Sequence, residues 1–152
     1  MDTPLAFIAF SSALTGFTQF ELYGTGVADS YYQALLDIIG PAPTQHLLDT
    51  YEQVVQQARA EGATPDLLLR QRILSDPTYG PVARNLIRLW YTGSWAQLPE
   101  PCRSRLGALP NDYTRVLSTE AYIEGLVWKA MNAHPMGAKQ MGYGSWALPP
   151  SR

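Results

Sequence analysis

The chain has 152 residues, of which 46% are hydrophobic and only 16% are charged, and its formal net charge is −2. This length favours one domain that buries enough surface to fold without disulfides or a structural metal. The only lysines are Lys129 and Lys139, and no basic run occurs, so the sequence offers no electrostatic basis for binding nucleic acid or an anionic membrane. No stretch approaches the roughly 18–20 apolar residues that a transmembrane helix needs.

The low share of charged residues indicates how much of the folded chain's surface is exposed to solvent. Globular chains usually carry about 25% charged residues, because these residues cover the solvated surface. This chain falls short of that share while holding four tryptophans and nine tyrosines. We therefore expect part of its surface to be covered by another protein.

Helical patterns follow one another along the first 132 residues. We predict helices at 5–14, at 31–39, from a cap at Thr44 to a stop at Gly62, from Thr64-Pro65 through Ile73, from Pro81 to a stop at Gly93, and at about 118–132. The third helix has the clearest signature, because its apolar residues recur at spacings of three and four. Glycines at 16, 62 and 93 predict helix ends, since glycine adopts the left-handed conformation easily.

Two segments lack a helical pattern. Residues 94–117 contain three prolines and one glycine and are predicted to form a long loop, which at that length indicates a role. Residues 135–152 are too apolar for a disordered tail, so we interpret them as an extended aromatic arm that lies on its own domain or on a partner. The predicted fold is all-α: a single compact domain of five to six helices over residues 1–134, followed by this arm.

The sequence contains no pattern that marks a catalytic, nucleotide or metal site. His46 and His134 have no second ligand at helical metal spacing, and the scattered carboxylates fit solvated helix faces. Cys102 is the single cysteine, which we interpret as a small buried hydrophobic residue. The glycine pair at 24–26 does not continue to a dinucleotide fingerprint. We therefore expect no catalytic residue, no metal site and no cofactor site in this chain.

Five segments together resemble a known family. They are residues 7–17 (FIAFSSALTGF), 31–35 (YYQAL), 87–93 (IRLWYTG), 122–128 (YIEGLVW) and 144–150 (GSWALPP). In this order they are similar to the small subunits of flavin-dependent, membrane-bound sugar and polyol dehydrogenases, which include the sorbitol, fructose, glucose and gluconate dehydrogenase small subunits. The chain departs from the family pattern at Gly125, where the family helix often has alanine, a change that costs about 1 kcal/mol at an exposed helical position.

The resemblance implies a heteromeric enzyme in which this chain is not the catalyst. Relatives pair with a large subunit of the glucose–methanol–choline oxidoreductase type, which holds FAD and removes hydride from the sugar, and a cytochrome c or another acceptor takes the electrons. The small subunit supports the folding, stability and maturation of the large one. The implied compartment is the bacterial periplasm if a twin-arginine leader was removed, and the cytoplasm if the chain is complete as written.

Aromatic residues are the usual anchors of such an interface. The candidate partner-interface residues are Trp90, Tyr91, Trp95, Trp128, Tyr143 and Trp146. Core packing is the favoured role for Trp90 and Trp128, and partner contact is favoured for the two residues of the arm. Two other classes of function stay open: a stand-alone helical adaptor or chaperone-like binding module, and an enzyme whose site has no recognisable pattern.

Overall fold

The computed structural model describes residues 3–133, and the elements within that part are almost all helices. They are α1 (Leu5–Thr15), α2 (Gln19–Gly24), α3 (Ala28–Ile39), α4 (Pro41–Ala60), α5 (Asp66–Leu69) with a following π-helical turn (Arg70–Leu74), α6 (Tyr79–Thr92), β1 (Ser94–Trp95), α7 (Glu100–Leu106), β2 (Arg115–Val116), α8 (Thr119–Ile123) and α9 (Leu126–Ala130). The predicted all-α class is confirmed. The predicted arm at 135–152 lies outside the described residues.

The core forms around α1, which is apolar on nearly every side. Phe7, Ile8 and Phe10 are fully buried, and the helix packs against α2, α4 and α6. A helix that is hydrophobic all round is expected to be enclosed in this way. It ends at Gly16, whose φ of 79° is left-handed, as the sequence predicts.

The helix α6 is the second central element. It packs against α1, α8 and α9, and it contributes the fully buried Leu86 and Trp90 to the core. Its predicted stop is confirmed, because Gly93 has a φ of 73° and donates its N–H to the carbonyl of Leu89. The position also excludes a side chain, since a Cβ there would lie 2.5 Å from the carbonyl oxygen of Ala121.

Several helix starts differ from the prediction. The helix α4 begins at Pro41 rather than after Thr44, because proline is well tolerated in the first helical turn. The Thr44 hydroxyl instead donates to the carbonyl of Gly40 at 2.8 Å. The helix α6 begins at Tyr79 rather than Pro81, because the Asp76 carboxylate accepts backbone N–H bonds from the residues at its start.

The short helix α2 was not predicted, although the sequence contains its start signal. The Thr18 hydroxyl accepts the N–H of Glu21 at 3.1 Å, and the Glu21 carboxylate accepts the N–H of Thr18 at 2.9 Å. This reciprocal capping box satisfies two of the unpaired donors at a helix start. It stabilises a helix of only six residues, too short for a periodic apolar pattern.

The prediction of one long loop at 94–117 is wrong. The strands β1 and β2 pair antiparallel, with Ser94 opposite Val116, and α7 lies between them. Three of the four residues that suggested a loop, Pro99, Pro101 and Gly107, lie at the ends of α7. Pro101 lies in its first turn, and Gly107 ends it with a φ of 61°. Proline therefore begins a helix here and glycine ends it, and neither marks an irregular loop.

The predicted sixth helix is two short helices, α8 and α9, separated at Gly125. A Cβ at this position would lie 2.7 Å from the carbonyl oxygen of Tyr91, closer than side-chain carbons approach. The glycine is buried and lies between helices, so the expected cost of an exposed helical glycine does not apply. Its role is to let the α8–α9 turn approach the end of α6. Among residues 3–133, no helix is long and apolar enough to cross a membrane.

Candidate partner-binding groove

Two of the aromatic residues proposed as partner anchors lie inside the core. Trp90 is 0% exposed and meets the Tyr31 ring edge-on, with 4.8 Å between ring centroids. Trp95 is 1% exposed, and its indole N–H donates to the Asp112 carboxylate at 2.9 Å. Neither side chain presents surface to a partner in this conformation, so we remove both from the set of anchors. For Trp90 the position agrees with the core role favoured from the sequence.

Tyr91 and Trp128 are partly buried and lie at the edge of the core. The Tyr91 hydroxyl donates to the carbonyl of Thr15 at 2.9 Å, and its ring meets the Phe17 ring edge-on. The Trp128 indole N–H donates to the carbonyl of Tyr122 at 2.9 Å, which fixes the ring against the turn before α9. The remaining two candidates, Tyr143 and Trp146, and also His134, lie outside the described residues.

Trp128 lines a groove that separates α2 from the α8–α9 turn. The groove has a volume of about 410 Å³. The side chains of Phe20 and Thr25 lie on the α2 side, and those of Ile123 and Leu126 lie opposite. Apolar side chains with a few charged groups around an open cleft are typical of a site that accepts a partner's side chain. We call this feature the α2–α9 groove.

An ion pair joins the two walls of the α2–α9 groove. The Lys129 ammonium group donates to the Glu21 carboxylate at 2.7 Å. This bond, together with the N–H and hydroxyl of Thr18, lowers the pKa of Glu21 to about 2. The Lys129 nitrogen also lies 5.8 Å from the centroid of the Phe17 ring. Both charges therefore find partners within the chain at neutral pH.

Large apolar side chains near the groove face solvent. Phe20, which lines the groove, is 87% exposed. Tyr23 on the same short helix is 47% exposed, and Met131, which follows α9 in the chain, is 61% exposed. Sequence reasoning missed Phe20 and Tyr23, because it did not find α2. The capping box at Thr18 and Glu21 was the signal that could have located that helix.

Other exposed apolar side chains occur away from the groove. Leu109, Tyr113 and Val116 lie around the turn before β2, and the Arg115 guanidinium covers the Tyr113 ring at 4.2 Å from its centroid. Leu67 on α5 is 62% exposed. Single exposed apolar residues are normal on a protein surface, so the groove is distinguished by its cleft with aromatic residues around it.

The two described residues that were considered as possible catalytic or metal-binding groups are His46 and Cys102. His46 is exposed, and its ring lies 5.1 Å from that of Tyr79. The Cys102 thiol donates to the carbonyl of Thr78 at 2.9 Å, and burial raises its pKa, which disfavours the reactive thiolate. Among residues 3–133, no cluster of three or more His, Cys, Asp or Glu side chains is placed to hold a metal ion.

The segments that resemble the dehydrogenase small subunits pack together where the structure describes them. Those at 7–17, 31–35, 87–93 and 122–128 are described, and the one at 144–150 is not. Tyr31 packs on Trp90, and the Tyr91 hydroxyl holds the carbonyl of Thr15. The backbone at Gly125 lies against the carbonyl of Tyr91. Comparison of the chain with protein-family models, curated proteins and solved structures found no match.

Proposed function

We propose that this chain is the non-catalytic accessory subunit of a heteromeric, FAD-dependent sugar or polyol dehydrogenase. Its partner is a large subunit of the glucose–methanol–choline type, and its role is to support the folding, stability and maturation of that subunit. The observation that carries the proposal is the aromatic lining of the α2–α9 groove by Phe20 and Trp128, of which Phe20 is 87% exposed. A side chain of this size gains hydrophobic free energy only when another surface covers it.

A second observation supports the flavoprotein as the partner. The four described segments that resemble the small-subunit family form one packed unit around Trp90 and Tyr91. The segment at 122–128 also contributes most of one wall of the groove. One of the segments that resemble the small-subunit family therefore forms part of the surface that we assign to partner binding.

The chemistry of the proposed complex belongs to the large subunit. Its FAD accepts hydride from a sugar carbon that bears a hydroxyl group, which leaves a ketone or a lactone. The electrons then pass to a cytochrome c or another acceptor. The contribution of this chain is structural, because an obligate interface stabilises the folded partner by mass action.

The proposal is tested by expressing the genes adjacent to that of this chain, with and without the chain present. We expect soluble, flavin-loaded protein in good yield only when both are expressed, measured as protein-bound flavin per milligram of soluble flavoprotein. Equal flavin loading in the two cultures would contradict a maturation role. Recovery of the chain in a complex that lacks flavin would favour the alternative function, a stand-alone helical adaptor.

A further inference from the structure

We propose that residues 17–25, which contain α2, form a hinged flap that opens and closes the α2–α9 groove, and that the ion pair between Glu21 and Lys129 latches this flap shut. Opening of the flap carries Phe20 away from the opposite wall and widens the groove. We call residues 17–25 the α2 flap. The flap is a property of the chain itself and does not depend on the function proposed above.

The α2 flap is weakly anchored to the rest of the fold. Within α2, which the structure describes in full, Leu22 is the one buried side chain. A helix of six residues also has little stability of its own, because few hydrogen bonds offset the cost of forming its first turn. Segments with few buried apolar contacts open locally while the rest of a protein stays folded. We therefore expect the flap to open at a lower free-energy cost than the core helix α4.

A glycine with a left-handed backbone lies beside each end of the α2 flap. Gly16 has a φ of 79°, and Gly26 has a φ of 74°. A Cβ at either position would meet no atom within 4 Å, so no neighbouring group crowds the backbone there. Hinges are a few residues at the ends of elements that absorb changes in φ and ψ, and glycine has the widest range of both angles. Gly16 and Gly26 are therefore placed to let the flap turn.

The latch is one carboxylate whose two oxygens have separate roles. Oε2 of Glu21 accepts the N–H of Thr18 at 2.9 Å, which completes the capping box at the start of α2. Oε1 accepts a hydrogen bond from the Lys129 ammonium group at 2.7 Å. The group that stabilises the start of α2 therefore also ties this helix to α9 across the groove.

Contacts on the core side make the closed flap the dominant state. Leu22 is fully buried, and the Ser12 hydroxyl donates to the carbonyl of Phe17 at 2.6 Å. The Phe17 ring also meets the Tyr91 ring edge-on. Opening releases these contacts, so the open flap is a minor state, and amide hydrogen exchange is the measurement that detects such states.

The test is native-state hydrogen exchange of the full-length chain, followed at single amides by NMR. The N–H groups of Leu22, Thr25 and Gly26 report on the flap, because each bonds to a carbonyl within it. Those of Leu48 and Val54 report on the core helix α4. In wild type we expect stronger protection of the α4 amides than of the flap amides. Equal protection of the two groups would overturn the flap.

Lys129→Met removes the latch and leaves the capping box, because Oε2 of Glu21 keeps its bond to the backbone. We expect exchange at the flap amides to accelerate about two- to fivefold, as loss of an exposed ion pair does, while the α4 amides stay unchanged. The matched control is Arg88→Met, which removes the same charge from an exposed helical position that does not line the groove. This control should leave the flap amides unchanged.

A double-mutant cycle with Glu21→Gln shows whether the two charges act as a pair. Glu21→Gln keeps an acceptor for the helix cap and removes the charge, so a further Lys129→Met should accelerate the flap amides less than it does in wild type. Additive effects, or unchanged flap amides in Lys129→Met, would overturn the latch. Equal acceleration of the flap and α4 amides would show global destabilisation and would overturn it as well.

Discussion

At the scale of single residues, three buried polar atoms find no hydrogen-bond partner among residues 3–133. They are the hydroxyl of Ser11, the hydroxyl of Tyr31 and the indole N–H of Trp90. A buried group without a partner costs about 1–3 kcal/mol, because it loses its bonds to water and gains none. Tyr31 is the most informative of the three, since its side chain also titrates.

We predict that Tyr31→Phe leaves the free energy of unfolding at neutral pH unchanged or raises it by about 1–2 kcal/mol, because the ring stays and the unpaired hydroxyl goes. Burial, with a smaller effect from the charge of Glu124, raises the pKa of Tyr31 well above its ordinary value of 10. The folded chain therefore holds this proton while the unfolded chain releases it. Stability is complete below about pH 10 and falls as the pH rises further.

The measurement is chemical denaturation of wild type and Tyr31→Phe at neutral pH and at about pH 11. The variant should lose less stability on this shift than wild type. Tyr51 and Tyr79, whose pKa values are also raised by burial, remain in both proteins and keep part of the alkaline sensitivity. A variant destabilised by more than about 1 kcal/mol at neutral pH would show that the hydroxyl has a partner.

Gly125 gives a second prediction at this scale. Gly125→Ala should lower the free energy of unfolding by about 1–3 kcal/mol, because its Cβ would lie 2.7 Å from the backbone oxygen of Tyr91 and the α8–α9 turn would have to move. The matched control is Gly24→Ala, where the added methyl group meets open space within a helix. That control should be neutral or slightly more stable. Equal thermal midpoints for the two variants would show that the backbone at Gly125 does not lie against the carbonyl of Tyr91.

At the scale of elements, Asp112 organises the segment between α6 and α8. Its side chain is fully buried and accepts the Trp95 indole N–H, the Leu98 N–H at 3.1 Å and the Arg103 guanidinium at 2.7 Å. These bonds link β1 and α7 to the turn before β2. We predict that Asp112→Ala destabilises the chain by about 2–4 kcal/mol, because it leaves buried donors without an acceptor.

Chemical denaturation of Asp112→Ala checks this role, with the free energy of unfolding as the quantity measured. Leu109→Ala is a suitable control, because Leu109 lies in the same segment with 42% of its surface exposed. If Asp112→Ala lowers the free energy of unfolding no more than the control does, the Asp112 carboxylate does not stabilise this segment.

The elements also show which features were predictable. The apolar face of α4 and the helix ends at Gly16 and Gly93 were predictable, because each depends on residues only a few positions apart in the chain. The helices α2 and α7 have six and seven residues, too few for a periodic pattern to emerge. The burial of Trp95 depends on Asp112, 17 residues further along the chain, and no local pattern reports such a contact.

At the scale of the whole molecule, the candidate site arises from the packing of distant segments. Trp128 was predicted as an anchor, although the core role was favoured for it, and the structure places it in the groove wall. Phe20 was not predicted, because its exposure depends on how α2 docks beside α9. The ion pair that joins these helices links residues 108 positions apart, Glu21 and Lys129. Composition predicts that a partner covers part of the surface, and under the proposed function the groove is the candidate for that part.

The absorption spectrum of the complex recovered with this chain decides whether the chain binds a flavoprotein. The tagged chain is expressed together with the adjacent genes, purified through the tag and resolved by size. We expect a yellow complex that contains one flavoprotein per chain, with flavin bands at about 375 and 450 nm from the bound FAD. A colourless eluate that contains this chain without a flavoprotein would contradict it.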